Sequence, residues 1–354
     1  MLSFYLLFHG LHLDSWWVSR MYDRRVKLRN SAVSPVIGTV LTLVILVSAI
    51  GVVLSWGIPY IERLKVESEQ KSVYSQFDLW DESLRDLVIE GVNATRINNF
   101  ALNQGNLLLD TFGRRFVIYY FMKPGYDCIL YDFNEYNFTI KANVSLPDTI
   151  DEVIINWLEN GGQEIHSNLS IKNDTDNVTI SVSSPLEKTV KMSFYNSSDV
   201  VAKAWVFNLG KLQWEASSSS GVYGLRAENE GIMVSIPGQT TLQEGFIFYN
   251  KSNALFMTTS LIRGRMFSGN GPALYKVVTT LGESEVLENS AIVYNLTLSI
   301  DGANADLWIR YFEDKGFSKV LPFDDNARRY NQTEIELTFL KVMFYTRLHM
   351  AKGG

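Results

Sequence analysis

Between Val33 and Ile61 no side chain carries a charge, whereas the flanks on both sides are rich in them. At about 1.5 Å per residue these positions make a helix of roughly 43 Å, longer than the roughly 30 Å hydrocarbon core of a bilayer. The pattern therefore predicts a membrane-spanning helix over residues 33–61. Pro59 is expected to kink it or mark its exit, since proline lacks the backbone donor and crowds the preceding turn. Beyond it, Val73, Phe77, Trp80, Leu84 and Leu87 recur at helical spacing, with Val88 widening the same face. This predicts an amphipathic stalk helix over residues 62–92, stopped by Gly91. Its apolar face is expected to pack onto the head that follows; the other use would be a seam between subunits.

After Asn93 the period changes from helical to two. Tyr136, Phe138, Ile140, Ala142, Val144 and Leu146 alternate with polar residues, as in a strand with one buried face, and 178–182 and 296–300 repeat the pattern. Segments 115–121, 152–157, 189–195, 200–207, 231–236 and 254–262 also read as strands. Turn signals punctuate them, among them Lys123-Pro124-Gly125, Asn160-Gly161-Gly162, Pro237-Gly238 and Asp301-Gly302. The expected fold class is α+β: a long N-terminal hydrophobic and amphipathic helix followed by a β-rich, sandwich or jelly-roll-like ectodomain. The run Ser217 to Ser220 is the candidate boundary between β-rich lobes at 93–215 and 221–354, or else a loop inside a single domain.

The flanking charges orient the helix. Five basic residues and only Asp23 lie between Arg20 and Ala32, whereas the charges after Tyr60 cancel. Excess Lys and Arg stay on the cytoplasmic side, so the N-terminus is expected inside and the head outside. Residues 1–14 are apolar but too short to span, and initiation at Met21 in place of Met1 would leave a compact basic leader. An ordinary cleaved secretory signal fits poorly, because the apolar run is about twice the usual length of about 7 to 15 residues.

The basic leader ending in Arg29, followed by Ala32-Val33-Ser34-Pro35-Val36-Ile37-Gly38 and an unbroken apolar helix, resembles the N-terminus of archaeal type IV pilin-like proteins with a class III signal sequence. The resemblance covers about residues 20–61. It implies cleavage by a prepilin peptidase between Ala32 and Val33, with residues 1–32 as leader and the helix retained as the assembly element. The processing residues implied are Arg29, Ala32, Val33, Ser34, Pro35 and Gly38. Ile37 stands at the fifth mature position, where bacterial type IV pilins carry Glu, so Glu-based registration of neighbouring subunits is not expected. Gly38 with Thr42, and Gly51 with Ser55, place small residues four apart, the spacing that lets another helix approach closely.

Composition narrows the chemistry. The net charge is −6, and loss of residues 1–32, with five basic and two acidic side chains, takes it to −9. Such a surface repels nucleic acid. The single cysteine, Cys128, cannot form an intramolecular disulfide, so the head must be held by packing. Ten Asn-x-Ser/Thr sequons, at Asn93, Asn137, Asn143, Asn168, Asn173, Asn177, Asn196, Asn250, Asn295 and Asn331, all fall on the outer side and are candidates for N-glycosylation. Alternation alone also generates sequons on a polar strand face, and it predicts that Asn137, Asn143 and Asn295 point outward.

No catalytic constellation emerges. His166 and His349 are far apart, Cys128 has no evident His partner, and no phosphate-cradling loop or zinc spacing occurs. Asp301, Asn304 and Asp306, the Asp324-Asp325-Asn326 cluster, and Asp174 with Asp176 offer oxygen ligands, but turn-building accounts for them better than calcium does. No enzyme activity, cofactor or metal is expected. The expected partners are membrane lipid, prepilin peptidase, other pilin-like subunits with their assembly machinery, and a surface or glycan ligand for the head. The reading is a cell-surface structural and adhesive subunit, a minor pilin. The alternative is a single-pass anchor that never polymerises.

Overall fold

The computed structural model of the chain describes residues 35–111, 113–125, 127–131, 141–145, 152–158, 189–245, 248–251, 253–320 and 325–351. The chain divides at Ile58/Pro59 into two compact units. The architecture is α+β, one long apolar helix followed by a β-rich domain with two principal sheets.

Helix α1 (Pro35–Glu90) contains Pro59 within it. Pro59 was expected to kink the helix or mark its exit, and the helix does not end there. Its stop is local chemistry: Gly91 takes a φ of 96°, open to glycine at no steric cost, and its N–H donates to the Leu87 carbonyl at 3.0 Å. The strands before the midpoint are β1 (Thr95–Leu102), β2 (Asn106–Asp110), β3 (Arg115–Phe121), β4 (Asp127–Tyr131), β5 (Lys141–Ser145), β6 (Glu152–Leu158), β7 (Thr189–Asn196) and β8 (Asp199–Asn208). Then come β9 (Lys211–Ser218), β10 (Gly221–Glu228), β11 (Gly231–Ile236), β12 (Gln239–Glu244), β13 (Phe248–Lys251), β14 (Ala254–Gly264), β15 (Phe267–Asn270) and β16 (Ala273–Ile300). Helix α2 (Ala305–Asp314), β17 (Phe317–Lys319), β18 (Ala327–Tyr330) and β19 (Glu334–Met350) complete the chain. Of the alternating segments, 132–140 and 178–182 lie outside the described residues.

The larger sheet follows the order β13-β14-β19-β16-β3-β8-β7-β6, with β1 and β18 also paired to β16; the smaller runs β12-β11-β10-β9-β2-β15. Within the larger sheet β14 and β19 are parallel and the other pairings antiparallel. Ser219 and Ser220 form the two-residue turn joining β9 to β10, and both sheets draw strands from either side of that turn. The Ser217 to Ser220 run therefore belongs to a hairpin, which is why it is polar and small.

Two cores stabilise the head. The first gathers Phe116, Ile118, Trp205, Phe207, Leu298, Trp308, Phe312, Phe317 and Phe339, with Phe207 and Phe339 edge-on at 5.8 Å. The second contains Val66, Val73, Phe77, Trp80, Leu84 and Leu87 of α1 together with strands of both sheets: Phe100, Tyr275, Val277 and Phe344 from the larger, Leu107, Trp214, Leu225 and Ile232 from the smaller. Strand β19 serves both, since Leu337, Phe339 and Met343 face the first core and Val342, Phe344 and Leu348 the second. The register of β16 against β19 shifts at Leu281/Glu283, Val286/Glu288 and Glu288/Ala291. These bulges let a 28-residue strand change the face it presents along its length.

The stalk is thus a core element of the head. Phe77 is fully buried and Trp80 is 1% exposed, with its indole N–H donating to Thr279 Oγ1 at 3.1 Å, whereas Leu79 is 58% exposed. Phe77→Ala or Trp80→Ala is expected to lower stability by about 3–5 kcal/mol. Leu79→Ala should stay within about 0.5 kcal/mol. Chemical unfolding of the detergent-solubilised chain, followed by tryptophan fluorescence, checks both.

Candidate functional site

The first unit, as far as it is described, is the apolar half of α1 and nothing else. Fifteen large apolar side chains from Val36 to Ile58 are between 49% and 83% exposed. At about 1–2 kcal/mol each, leaving them in water would cost on the order of 20 kcal/mol, more than the net stability of a typical domain. The helix is long and apolar enough to cross a membrane. Residues 36–58 alone span about 34 Å, so the described stretch matches a bilayer core.

Three hydroxyl side chains on this stretch are folded back onto the helix itself. Thr39 Oγ1 donates to the Val36 carbonyl, Thr42 Oγ1 to the Gly38 carbonyl and Ser55 Oγ to the Val52 carbonyl, each at 2.9 Å. Hydroxyls satisfied in this way are compatible with hydrocarbon. Gly38, Thr39, Thr42, Leu43 and Leu46 line a shallow groove, and a Cβ added at Gly38 or Gly51 would meet nothing within 4 Å. At about 100° per residue Gly51 and Ser55 lie on roughly the opposite side of the helix from Gly38 and Thr42. The predicted packing residues therefore form two separate small-residue faces. Pro35 opens α1, while Arg29, Ala32, Val33 and Ser34 lie outside the described residues.

In the second unit the helix is gripped by polar contacts as well as by its core face. Gln70 Nε2 donates to the carbonyls of Gly224 at 3.1 Å and Ser235 at 2.8 Å, two residues paired across β10 and β11. Glu69 accepts from the Asn103 backbone N–H at 2.7 Å and its amide at 2.8 Å. The Gln76 amide pairs with both backbone groups of Ala101, accepting from its N–H at 2.7 Å and donating to its carbonyl at 3.3 Å. Gln76 thereby takes the place of a neighbouring strand along β1. None of these ties follows an apolar pattern, and sequence periodicity carries no signal for them.

Two buried charge clusters resemble chemistry in composition. Glu228 is 1% exposed; its Oε1 meets Arg114 Nε at 2.7 Å and accepts from the Trp308 indole at 2.9 Å, while Oε2 accepts from Arg226 Nε at 2.7 Å. Burial, with Arg226 adding to it, lowers the Arg114 guanidinium to about 10 in spite of Glu228. Glu288 Oε1 accepts from Tyr120 and from Lys203, both at 2.6 Å, and the Trp205 indole donates to the Tyr120 hydroxyl at 3.1 Å. Burial first, then the Glu288 charge, push the Tyr120 phenol well above its ordinary value. In both clusters the carboxylate is committed to partners on more than one element of the fold, the geometry of a structural tie.

The remaining candidates scatter. Cys128 lies in β4 and His349 is exposed on β19, opposite Lys276; His166, Asp174, Asp176 and Asp324 lie outside the described residues. Asp301 accepts from the Gly302 N–H at 2.7 Å, a turn-building bond, and Asp325 pairs with Lys319 at 2.6 Å, which holds its carboxyl below the usual range. No group of three or more His, Cys, Asp or Glu able to hold a metal occurs among the described residues. Asn93 and Asn331 are exposed, Asn196 is half-buried, and the Asn250 amide donates to the Tyr330 hydroxyl. Asn143 lies in β5, while Asn137, Asn168, Asn173 and Asn177 lie outside the described residues. Asn295, predicted to face outward, is half-buried at a φ of 51°, where the β16–β3 register shifts, and Thr297 of its sequon is fully buried.

Comparison with protein-family models, with curated proteins and with solved structures gives no match.

Burial, with the Glu230 charge second, pushes the Tyr311 phenol up to about 12. A phenol that ionises near 10 when unfolded but near 12 when folded contributes stability that is present below pH 10 and lost as pH rises to about 12. Arg114 acts in the opposite direction over the same window, so the readout is a difference. The margin in melting temperature of the native chain over Tyr311→Phe is expected to shrink steadily between pH 10 and pH 12.

Proposed function

We propose that this chain is a pilin-like cell-surface subunit of the minor kind. In this reading the apolar helix holds it in the cell membrane with the N-terminus cytoplasmic and the β-rich head outside. Prepilin peptidase cuts between Ala32 and Val33, and the retained helix then packs with other pilin-like subunits through the assembly machinery. The observation that carries the reading is the row of exposed apolar side chains from Val36 to Ile58, directly behind a basic leader. Gly38 with Thr42 and Gly51 with Ser55, on different sides of the helix, suit a helix with more than one neighbour, as a filament core requires. We read the two sheets as sandwich layers and the head as an adhesive module for a surface or glycan. The size of the head favours the second reading, an anchor that never polymerises: cleavage after Ala32 leaves 322 of the 354 residues, long for a major filament subunit.

Mass spectrometry of the native protein is expected to find Val33 as the first residue; an intact leader in cells that process other such substrates would remove the processing claim. Recovery of the chain in sheared extracellular filaments supports assembly, and exclusive recovery in the membrane fraction assigns the anchor.

N-glycosylation belongs to the same proposal, with Asn93, Asn250 and Asn331 the exposed acceptors among the described residues. Asn93→Gln and Asn331→Gln should each remove one glycan mass from the intact protein. Asn295→Gln should leave the mass of the attached glycans unchanged, because Thr297, the hydroxyl partner in its sequon, is buried.

A further inference from the structure

Two hairpin tips of the smaller sheet meet α1 at the residue where it enters the second unit. Ser219, in the turn between β9 and β10, brings its Oγ within 3.5 Å of the Pro59 carbonyl, and the Tyr223 hydroxyl reaches Glu67 at 3.3 Å. The turn between β11 and β12, Pro237-Gly238, lies alongside: a Cβ on Gly221, whose φ is 130°, would stand 3.0 Å from the Pro237 ring. The covalent chain supplies the rest, because Pro59 directly follows the apolar stretch.

These tips carry no charge of their own in an acidic chain. Neither 216–225 nor 231–243 contains a charged residue, and the first holds four consecutive serines. Val222 is 53% exposed and Ile236 is 44% exposed. Strand alternation puts Val222 on the face opposite Tyr223, while the pairing of Leu225 with Val234 puts Ile236 on the same face as Tyr223, so the tips carry apolar side chains on both faces. Tyr60, Ile61 and Leu64, which follow Pro59 along the helix, are exposed.

We propose that the two tips sit in the headgroup layer of the outer leaflet, so that a lipid surface is the partner of this end of the head. The inference rests on the membrane reading of α1 given above. An acidic protein surface is repelled from an anionic leaflet within a Debye length of about 8 Å, which an uncharged tip avoids. Tyrosine, as at Tyr60, is enriched at the membrane–water interface, and apolar side chains such as Val222 and Ile236 bury at the headgroup boundary. The opposite end of β10 is unlike this: Glu228 meets α2 there, about 23 Å away at about 3.3 Å per residue, and α2 exposes Asp306 and Arg310.

The test uses the full chain in a Cys128→Ser background, reconstituted into vesicles of phosphatidylcholine with a minority of anionic lipid. Single cysteines replace Val222, Ile236, Arg310 or Ile50 and carry an environment-sensitive fluorophore, read with headgroup-level and chain-level nitroxide lipids. Headgroup-level quenching at 222 and 236, but not at 310, is the expected result. It should be independent of the protein-to-lipid ratio. Quenching at Ile50 with none at 222 and 236 would overturn the proposal and leave the anchor standing. No quenching at Ile50 would overturn the anchor reading itself. A response at 222 and 236 that appears only as the protein-to-lipid ratio rises would assign the tips to a second copy of the chain and overturn the lipid assignment.

Discussion

The burial of one face of α1 between strands of both sheets is the interaction on which the head depends. Val66, Val73, Phe77, Trp80, Leu84 and Leu87 fill a core for which the larger sheet supplies Phe100, Tyr275 and Phe344 and the smaller Leu107, Trp214 and Leu225. Without the helix each sheet would expose that apolar face to water. At roughly 1.5–3 kcal/mol for each large apolar side chain, six such residues from the helix contribute as much as the whole net stability of a typical domain. The polar grip of Glu69, Gln70 and Gln76 adds direction to this burial, since carbonyls and amides accept a partner in only one register.

The charged ties serve the same end on the other side of the head. Glu228 joins Arg114, Arg226 and Trp308, and so links the segment before β3, strand β10 and helix α2. Glu288 joins Tyr120 and Lys203, at the bulge where β16 changes face. Replacing one partner would leave a buried charge unmatched, which costs far more than the pair contributes. These residues look catalytic on paper because they are buried, ionisable and hydrogen-bonded, yet both oxygens of Glu228 and Oε1 of Glu288 are already in use.

The stalk face and several strands were legible because one physical rule covered each. Val73 to Leu87 follow helical spacing, and Arg115–Phe121 and Gly231–Ile236 are strands with the predicted ends. Helix α2 was not legible: Asn304 and Asp306 read as a turn, and the signal lay in Leu307, Trp308 and Phe312 behind them, all buried in the first core. Of β16 only residues 296–300 were legible, and β19 was not legible at all, since bulges interrupt the alternation of the first and the second is buried on both faces near Met343. Asn295 shows the same limit, because an alternation rule cannot anticipate a left-handed residue at a register shift. Of the candidate site, the apolar helix was visible throughout, while Gln70 and Gln76 look like ordinary surface glutamines until their partners are known.

Gln76 closes the outer edge of β1 at Ala101 with a side-chain amide. A strand edge closed by another element is open for as long as that element is absent. The edge of β1 is therefore available to any passing chain during the interval between synthesis of the strand and seating of the helix beside it. Because α1 precedes β1 in the sequence, the cover emerges before the edge it must protect, and that interval is short by construction.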